Sequence, residues 1–154
     1  MSERLKIHTG DKVPSFRAST VQGAPVSFPD DYKGKVVLLG FWATWCSPCV
    51  KALQALTGIY ERYHSQGLEI LGVSLDETNS AQKLVKFCQS HNMPWPQILD
   101  TVSPEIHKRY HIDSIPQAFL LDGDTGKVLF KADTVDEEFL SEEVEKAMSA
   151  KRQR

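Results

Sequence analysis

Uninterrupted apolar runs predict several buried β-strands in this chain. The strongest run is Lys35–Trp42, whose β-branched and aromatic residues suit a strand that is buried on both faces. Leu68–Leu75 is the next predicted strand, with apolar residues at Leu68, Ile70, Leu71, Val73 and Leu75. Shorter runs predict three further strands, at Gln97–Asp100, Gln117–Asp122 and Lys127–Ala132, the last two joined by a turn over Gly123–Gly126.

Apolar residues at helical spacing predict helices between these strands. The first helix follows Trp42, ends near Gly67 and carries one apolar stripe, which consists of Cys49, Leu53, Leu56, Tyr60 and Tyr63. Ser80 is expected to cap a second helix, whose stripe consists of Ala81, Leu84, Val85 and Cys88. A short helix is expected over Pro104–Tyr110.

The C-terminal region predicts a longer helix with a solvated end. Thr134 and Glu137 form a capping box, which opens a helix that runs to about Ala150. Lys151–Arg154 is expected to be a frayed, solvated tail.

The order of these elements predicts an α/β fold with helices flanking a mixed sheet. Near the N-terminus, Val13–Ser19 and Ala24–Phe28 are expected to form a β-hairpin. No internal repeat or linker divides the chain, so we expect a single domain over residues 1–154 with an ordered core at about 11–150.

Composition and charge exclude several classes of protein. The chain has 154 residues, of which 41% are hydrophobic and 25% charged, so it is not a disordered or collagen-like protein. The net charge of −2 lacks the basic footprint of a nucleic-acid-binding protein. The longest apolar run, Val36–Ala43, is far shorter than the roughly 20 residues that a membrane span needs.

The N-terminal charges bear on location. Glu3, Arg4 and Lys6 interrupt any apolar core of a signal peptide, so a cytoplasmic protein is expected. If the chain is a processed fragment, an exported or periplasmic location is the alternative.

Cys46 and Cys49 form the first candidate for chemistry, because they follow a buried strand and begin a helix. Two cysteines three residues apart on a helical turn are within disulfide reach. The unpaired N–H groups and positive dipole of a helix N-terminus stabilise a thiolate at Cys46. We therefore expect Cys46 to be an exposed nucleophile, and Cys49, one turn inside, to resolve the resulting mixed disulfide.

A structural zinc site is the alternative interpretation of these cysteines. Cys88 and His91 repeat the same two-residue gap, so a Cys3His site with Cys46 and Cys49 is formally possible. Cys88 lies on an apolar stripe, however, where a cysteine is normally a small core residue. An accessory redox role for Cys88 stays open.

The segment Phe41–Cys49, with the sequence FWATWCSPC, resembles the active site of the thioredoxin superfamily. From about Asp11 to Ala147 the chain resembles the TlpA/ResA-like thiol–disulfide oxidoreductases, which have an AhpC/TSA-redoxin-type domain. The resemblance implies a thioredoxin-like fold with a central mixed sheet, an N-terminal hairpin and a helical insertion at residues 79–104. It also implies a cis proline facing the cysteine pair, a position that Pro116 matches.

The same resemblance implies how the protein works and what it contacts. It implies thiol–disulfide exchange with disulfide- or dithiol-bearing proteins through a reversible Cys46–Cys49 disulfide, with an upstream thiol reductant. The reducing direction is favoured because the N-terminal sequence does not resemble an export signal. No bound cofactor or metal is expected, and the protein is expected to be a monomer. The expected substrate-binding residues are Trp45, Ser47, Pro48, Ile115 and Pro116.

The chain departs from the family pattern at three positions near this site. Relatives often have a glutamate where Ala52 stands, and many thioredoxins have a buried aspartate where Gly40 stands. The proton acceptor for Cys49 is therefore unassigned. Gln117 replaces the usual threonine after the cis proline, so substrate contacts are expected to differ.

Two other functions compete with this hypothesis. Thiol peroxidases share the fold, but their Pro-x-x-x-Thr-x-x-Cys motif fails here, because Leu39 and Ala43 stand at the proline and threonine positions. A binding module with an idle cysteine pair is the non-enzymatic alternative.

Overall fold

The structure, a computed structural model, describes residues 6–101, 105–133 and 137–153. Its central sheet contains β3 (Val36–Trp42), β4 (Leu68–Ser74), β5 (Gln97–Leu99), β6 (Gln117–Asp122) and β7 (Val128–Ala132). The strand order is β5–β4–β3–β6–β7. The first three strands of this order are parallel, and β6 and β7 are antiparallel to their neighbours. The predicted mixed sheet is confirmed.

Five α-helices, two 3-10 turns (Asp30–Tyr32 and His64–Gln66) and a separate hairpin complete the described part of the fold. The helices are α1 (Ser47–Lys51), α2 (Leu53–Tyr63), α3 (Ala81–Ser90), α4 (Ile106–Arg109) and α5 (Glu137–Arg152). The hairpin pairs β1 (Phe16–Ser19) with β2 (Pro25–Phe28), as predicted. The expected insertion at residues 79–104 contains α3 and β5. None of the described helices is both long and apolar enough to cross a membrane.

Strand β3 supplies side chains to both faces of the sheet, which explains its uninterrupted apolar sequence. Leu38 and Trp42 pack on the face covered by α1, α2, α3 and α5. Leu39 and Phe41 pack on the opposite face, against the hairpin and α4. Because successive strand residues point to opposite faces, one apolar run fills two cores.

The helix predicted between Cys49 and Gly67 is divided at Ala52. The Ala52 N–H is shared between the carbonyl oxygens of Pro48 and Cys49, at 3.2 and 3.1 Å, and this tightens the turn between α1 and α2. Along the predicted stripe, Cys49, Leu53 and Tyr63 are buried, and Leu56 and Tyr60 are half-buried and pack against the same core. The Tyr60 ring also stacks on that of His64, with 4.3 Å between centroids.

The expectation of a frayed tail is wrong for Lys151 and Arg152, which belong to α5. The Lys151 ammonium lies 2.9 Å from Asp122 Oδ1 and 2.8 Å from Asp124 Oδ2, and these carboxylates anchor the end of the helix to the β6–β7 turn. The predicted capping pair, Thr134 and the side chain of Glu137, and the predicted start of the short helix, Pro104, lie outside the described residues.

The sheet topology brings the two segments of interest together. The carboxyl end of β3 leads through residues 43–46 into α1. Since β6 runs antiparallel to β3, its first residue, Gln117, pairs with Phe41 near that same end. Residues 113–116, which precede β6, therefore lie beside the cysteine pair.

Candidate active site

Cys46 and Cys49 are joined by a disulfide, with 5.2 Å between their Cα atoms. Cys46 is the N-cap residue of α1, and Pro48 lies in the first turn of that helix, where a missing N–H costs no hydrogen bond. The Cys49 N–H donates to Cys46 Sγ across 3.3 Å. The local sequence thus places the first sulfur where a backbone donor would stabilise a thiolate after reduction.

The expectation of an exposed Cys46 is wrong for this disulfide form. Cys46 is 6% exposed and Cys49 is 2% exposed, so Cys46 is only slightly the more accessible of the two. The Cys46 sulfur lies 3.9 Å from the carbonyl oxygen of Ile115, so residues 113–116 border it on one side. The exposed feature is the neighbouring Trp45, 66% of which is accessible.

The proline opposite the pair has the expected conformation, since the Ile115–Pro116 peptide bond is cis. Ile115 and Pro116 are half-buried, whereas Ser47 and Pro48 are exposed on the α1 side. The structure therefore brings all five expected substrate-binding residues to the surface around the cysteine pair. A second cis peptide bond, Phe28–Pro29, follows β2, and no pattern in the sequence indicated it.

A small cavity of about 30 Å³ lies behind Cys49. Gly40 and Gly72, which are paired in register on β3 and β4, form part of its wall. A Cβ built on Gly40 would meet nothing within 4 Å. None of the described residues that line this cavity carries a carboxyl group, so it provides no carboxylate to accept the Cys49 proton.

Trp42, predicted as a core residue, is buried and also makes a polar contact. Its Nε1–H donates to Gln97 Oε1 at 2.9 Å, across the intervening strand β4. The Gln97 amide lies directly over Gly72, where an added Cβ would be 2.1 Å from Oε1. Gln97 Nε2 has no hydrogen-bond partner among the described residues. The missing side chain of Gly72 therefore leaves the space for the Gln97 amide, which accepts the hydrogen bond from Trp42 beside the cavity.

Asp76 is a buried polar residue near the site for which the sequence predicted no role. It follows β4, is 5% exposed, and its carboxylate accepts hydrogen bonds from Thr44, two residues before Cys46. A signal was available, because Ser74 and Asp76 are polar residues at the carboxyl end of a strand predicted to be buried. Parallel neighbours bring such strand ends to one edge of a sheet.

Cys88 lies on α3 and is buried, as expected for a core residue. Burial, and to a smaller extent the negative charge of Asp76, raises the pKa of its thiol to about 11. Among the described residues, no group of three or more His, Cys, Asp or Glu side chains is arranged to hold a metal ion. The Cys3His alternative therefore has no support in this part of the chain.

Comparisons with known proteins agree on the family. Residues 9–130 match the AhpC/TSA family. The chain is 35% identical over 128 residues to the thiol-disulfide oxidoreductase ResA of Bacillus cereus, which covers 83% of this chain and 71% of that protein. It is 33% identical over 123 residues to ResA of Bacillus subtilis, covering 80% of this chain and 66% of the relative.

Solved structures show the same fold. A thiol:disulfide interchange protein from a Bacteroides species superposes with a TM-score of 0.76 at 32% identity, over 93% of this chain and 91% of the other. The thioredoxin domain of a thiol-disulfide oxidoreductase from Bacteroides vulgatus gives a TM-score of 0.78 at 31% identity, over 93% and 99%. With a disulfide-capable pair at the same kind of site, the chain belongs to the AhpC/TSA family and is a thiol–disulfide oxidoreductase of the ResA type with a thioredoxin-like fold.

Proposed function

We propose that the protein reduces disulfides in partner proteins, with Cys46 as the attacking thiolate and Cys49 as the resolving thiol. The observation that carries this assignment is the hydrogen bond from the Cys49 N–H to Cys46 Sγ. In the reduced protein, a backbone donor at 3.3 Å would stabilise the negative charge of a Cys46 thiolate. Among the described residues, no backbone N–H donates to Cys49 Sγ in the same way.

The proposed reaction transfers two electrons in two exchange steps. The Cys46 thiolate attacks one sulfur of the partner disulfide, so a mixed disulfide forms while the partner's S–S bond breaks and its other sulfur leaves as a thiolate. Cys49 then passes its proton to solvent or to the partner thiolate that has left, and the resulting Cys49 thiolate attacks Cys46 Sγ. The Cys46–Cys49 bond forms, the bond between Cys46 and the partner breaks, and the second partner sulfur leaves as a thiolate, which takes up a proton from solvent. An upstream thiol reductant returns the two electrons to the oxidised pair.

The side chains around the cysteine pair are uncharged, so they favour no particular charge on the partner segment that binds there. Trp45, Ser47 and Pro48 are exposed on one side of the pair, and Ile115 and Pro116 are half-buried on the other. None of these five side chains is ionisable. We propose that an extended partner segment lies between the two sides, with its backbone N–H donating to the Ile115 carbonyl and an apolar side chain resting on Trp45.

The direction of electron flow is tested by the reduction potential of the Cys46–Cys49 pair. Equilibration against defined thiol–disulfide buffers is expected to give a value near about −270 mV, which is typical of a thioredoxin-like reductant. A value near about −120 mV would instead assign the protein to oxidants.

The roles of the two cysteines are tested by trapping. A Cys49→Ser variant is expected to accumulate a mixed disulfide between Cys46 and a disulfide-bearing protein, whereas a Cys46→Ser variant is not. Accumulation in the Cys46→Ser variant alone would reverse the assigned roles.

We also propose that the protein works as a monomer in the cytoplasm. Thiols are kept reduced in that compartment, so a reductant is available there to reduce the oxidised cysteine pair. Rapid acid trapping of thiols in cells followed by alkylation would report the redox state of the pair. A pair that is reduced in a large fraction of molecules supports this location, and a fully oxidised pair contradicts it.

A further inference from the structure

Asp76 lies at the carboxyl end of β4, facing the loop that carries the active site. Its Oδ2 accepts a hydrogen bond from the Thr44 N–H at 3.1 Å, and its Oδ1 accepts one from the Thr44 hydroxyl at 2.6 Å. The Ser74 hydroxyl donates to Oδ2 at 2.5 Å. Among the described residues, no basic side chain forms an ion pair with Asp76. Its carboxylate is held by uncharged donors of Thr44 and Ser74.

Thr44 is the residue through which this carboxylate acts on the active site. Residues 43–46 form a turn, closed by a hydrogen bond from the Cys46 N–H to the Ala43 carbonyl at 3.2 Å. Thr44 lies inside that turn. The start of the loop is held separately, because the Leu75 N–H donates to the Trp42 carbonyl at 2.8 Å. Asp76 is therefore the side chain that fixes the middle of the loop to the end of β4.

We propose that Asp76 is a positioning residue for thiol–disulfide exchange, which holds Thr44 and thereby keeps Cys46 Sγ within reach of the Cys49 N–H. This inference rests on the proposed role of Cys46 as the attacking thiolate. If the turn relaxes, the sulfur moves relative to its donor at 3.3 Å, and the thiolate loses stabilisation.

A carboxylate suits this place better than the amide of the same shape. Thr44 presents both of its donors to Asp76, and Ser74 presents a third. Carboxylate oxygens accept all three hydrogen bonds, whereas an asparagine has one acceptor oxygen, so a hydroxyl would have to turn and accept from its NH2 group, and neutral hydrogen bonds would replace stronger charge-assisted ones. Asp76→Asn therefore preserves volume and weakens the hold on the loop.

The test measures the reactivity of Cys46 in a Cys49→Ser background, which leaves the backbone N–H of residue 49 in place. Alkylation by iodoacetamide is followed from pH 5 to 10, and the labelled cysteine is identified by mass spectrometry. Asp76→Asn is expected to slow labelling of Cys46 at pH 7 about three- to tenfold and to move the midpoint of the pH profile upward. Asp100→Asn is the matched control, because Asp100 is also a buried carboxylate but bonds to His107 on α4.

Two outcomes would overturn the inference. If Asp76 acted through its charge, its removal would lower the pKa of Cys46 and make labelling at pH 7 faster. If it were only structural, labelling would match that of Asp100→Asn, whatever the loss of stability. An unactivated Cys46 in the Cys49→Ser parent would overturn the proposed function as well, so the two failures are distinguishable.

A second pair of variants decides the matter if Asp76→Asn does not fold. Thr44→Val removes the hydroxyl donor without changing any charge, and Thr44→Ser retains it. Labelling of Cys46 is expected to be slower in Thr44→Val than in Thr44→Ser. Equal rates in the two variants would contradict the inference.

Discussion

Gly40 and Gly72 are opposite each other on adjacent strands, but they have different surroundings. A Cβ on Gly40 would enter open space beside the cavity behind Cys49. A Cβ on Gly72 would overlap the Gln97 amide that receives the Trp42 N–H. An added Cβ therefore requires the Gln97 amide to move at Gly72 and requires no movement at Gly40.

We predict that Gly72→Ala displaces the Gln97 amide and lowers the free energy of unfolding by about 1–3 kcal/mol, because the buried indole N–H loses its acceptor. Gly40→Ala is the matched control. It is expected to be neutral or slightly stabilising, since glycine in a strand costs about 0.5–1 kcal/mol relative to alanine. Urea unfolding of both variants checks this, and equal losses would contradict it.

At the residue scale, the sequence predicts contacts between residues that are close along the chain but not contacts between residues that are far apart in it. Cys46 and Cys49 are three positions apart, so their pairing follows from one helical turn. Asp76 and Thr44 are 32 positions apart, and their contact depends on the pairing of β3 with β4. No local pattern contains that information.

At the scale of elements, the end of α5 is fixed by charges at the β6–β7 turn. Lys151 is largely buried and bonds to both Asp122 and Asp124, and Asp124 Oδ1 also accepts from the Gly34 N–H at 2.7 Å. The hydrogen bond from Lys151, followed by that from Gly34, lowers the pKa of Asp124. Burial alone would lower the pKa of Lys151, but its hydrogen bonds to Asp124 and Asp122 outweigh burial and raise it.

We predict that Lys151→Met lowers the free energy of unfolding by about 1–3 kcal/mol at pH 7, because Asp122 stays buried without this ammonium. Asp124 has a lowered pKa in the folded state, so its pairing with Lys151 stabilises the fold above the unfolded pKa of about 3.9. This contribution is lost as the pH falls through the folded pKa. The difference between wild type and variant should therefore shrink below about pH 4.

The control for this prediction is Lys146→Met on the same helix, since Lys146 pairs with Glu143 at an exposed site. Surface pairs of this kind contribute about 0–1 kcal/mol. Urea unfolding at pH 7 and pH 3 measures both variants. Equal effects of the two substitutions at pH 7 would contradict the anchoring role of Lys151.

The same element shows why some boundaries escaped prediction. Lys151 and Arg152 interrupt the apolar periodicity, so the sequence indicated a tail. Their helical state depends on carboxylates of the β6–β7 turn, a tertiary contact that periodicity does not record. By contrast, β3 and β4 were predicted almost to the residue, because strands that fill one or both cores need long apolar runs.

At the scale of the molecule, the fold is stabilised chiefly by two apolar cores, one on each face of the sheet, and only to a small extent by its disulfide. The Cys46–Cys49 bond joins residues only three positions apart. A loop this short is expected to constrain the unfolded chain by about 2 kcal/mol. The class of topology and the burial of β3 on both faces were predictable from the sequence, while the identity of the elements that cover each face required the structure.

We predict that reduction of the disulfide lowers the melting temperature by about 4–8 °C and leaves unfolding cooperative. Thermal unfolding followed by circular dichroism, with and without a phosphine reductant, measures this shift. A reduced form that is unfolded at 25 °C would instead make the pair a structural staple.

Trp45 also gives the protein an intrinsic optical probe. Of the three tryptophans, Trp42 and Trp95 are buried at 6% and 4% exposure, whereas Trp45 is 66% exposed next to Cys46. An indole in water emits at longer wavelength than a buried one, so a partner that covers the active site would shift only the emission of Trp45 to the blue. Docking can therefore be observed without a label and separately from electron transfer, even in a variant in which Cys46 and Cys49 are both replaced by serine.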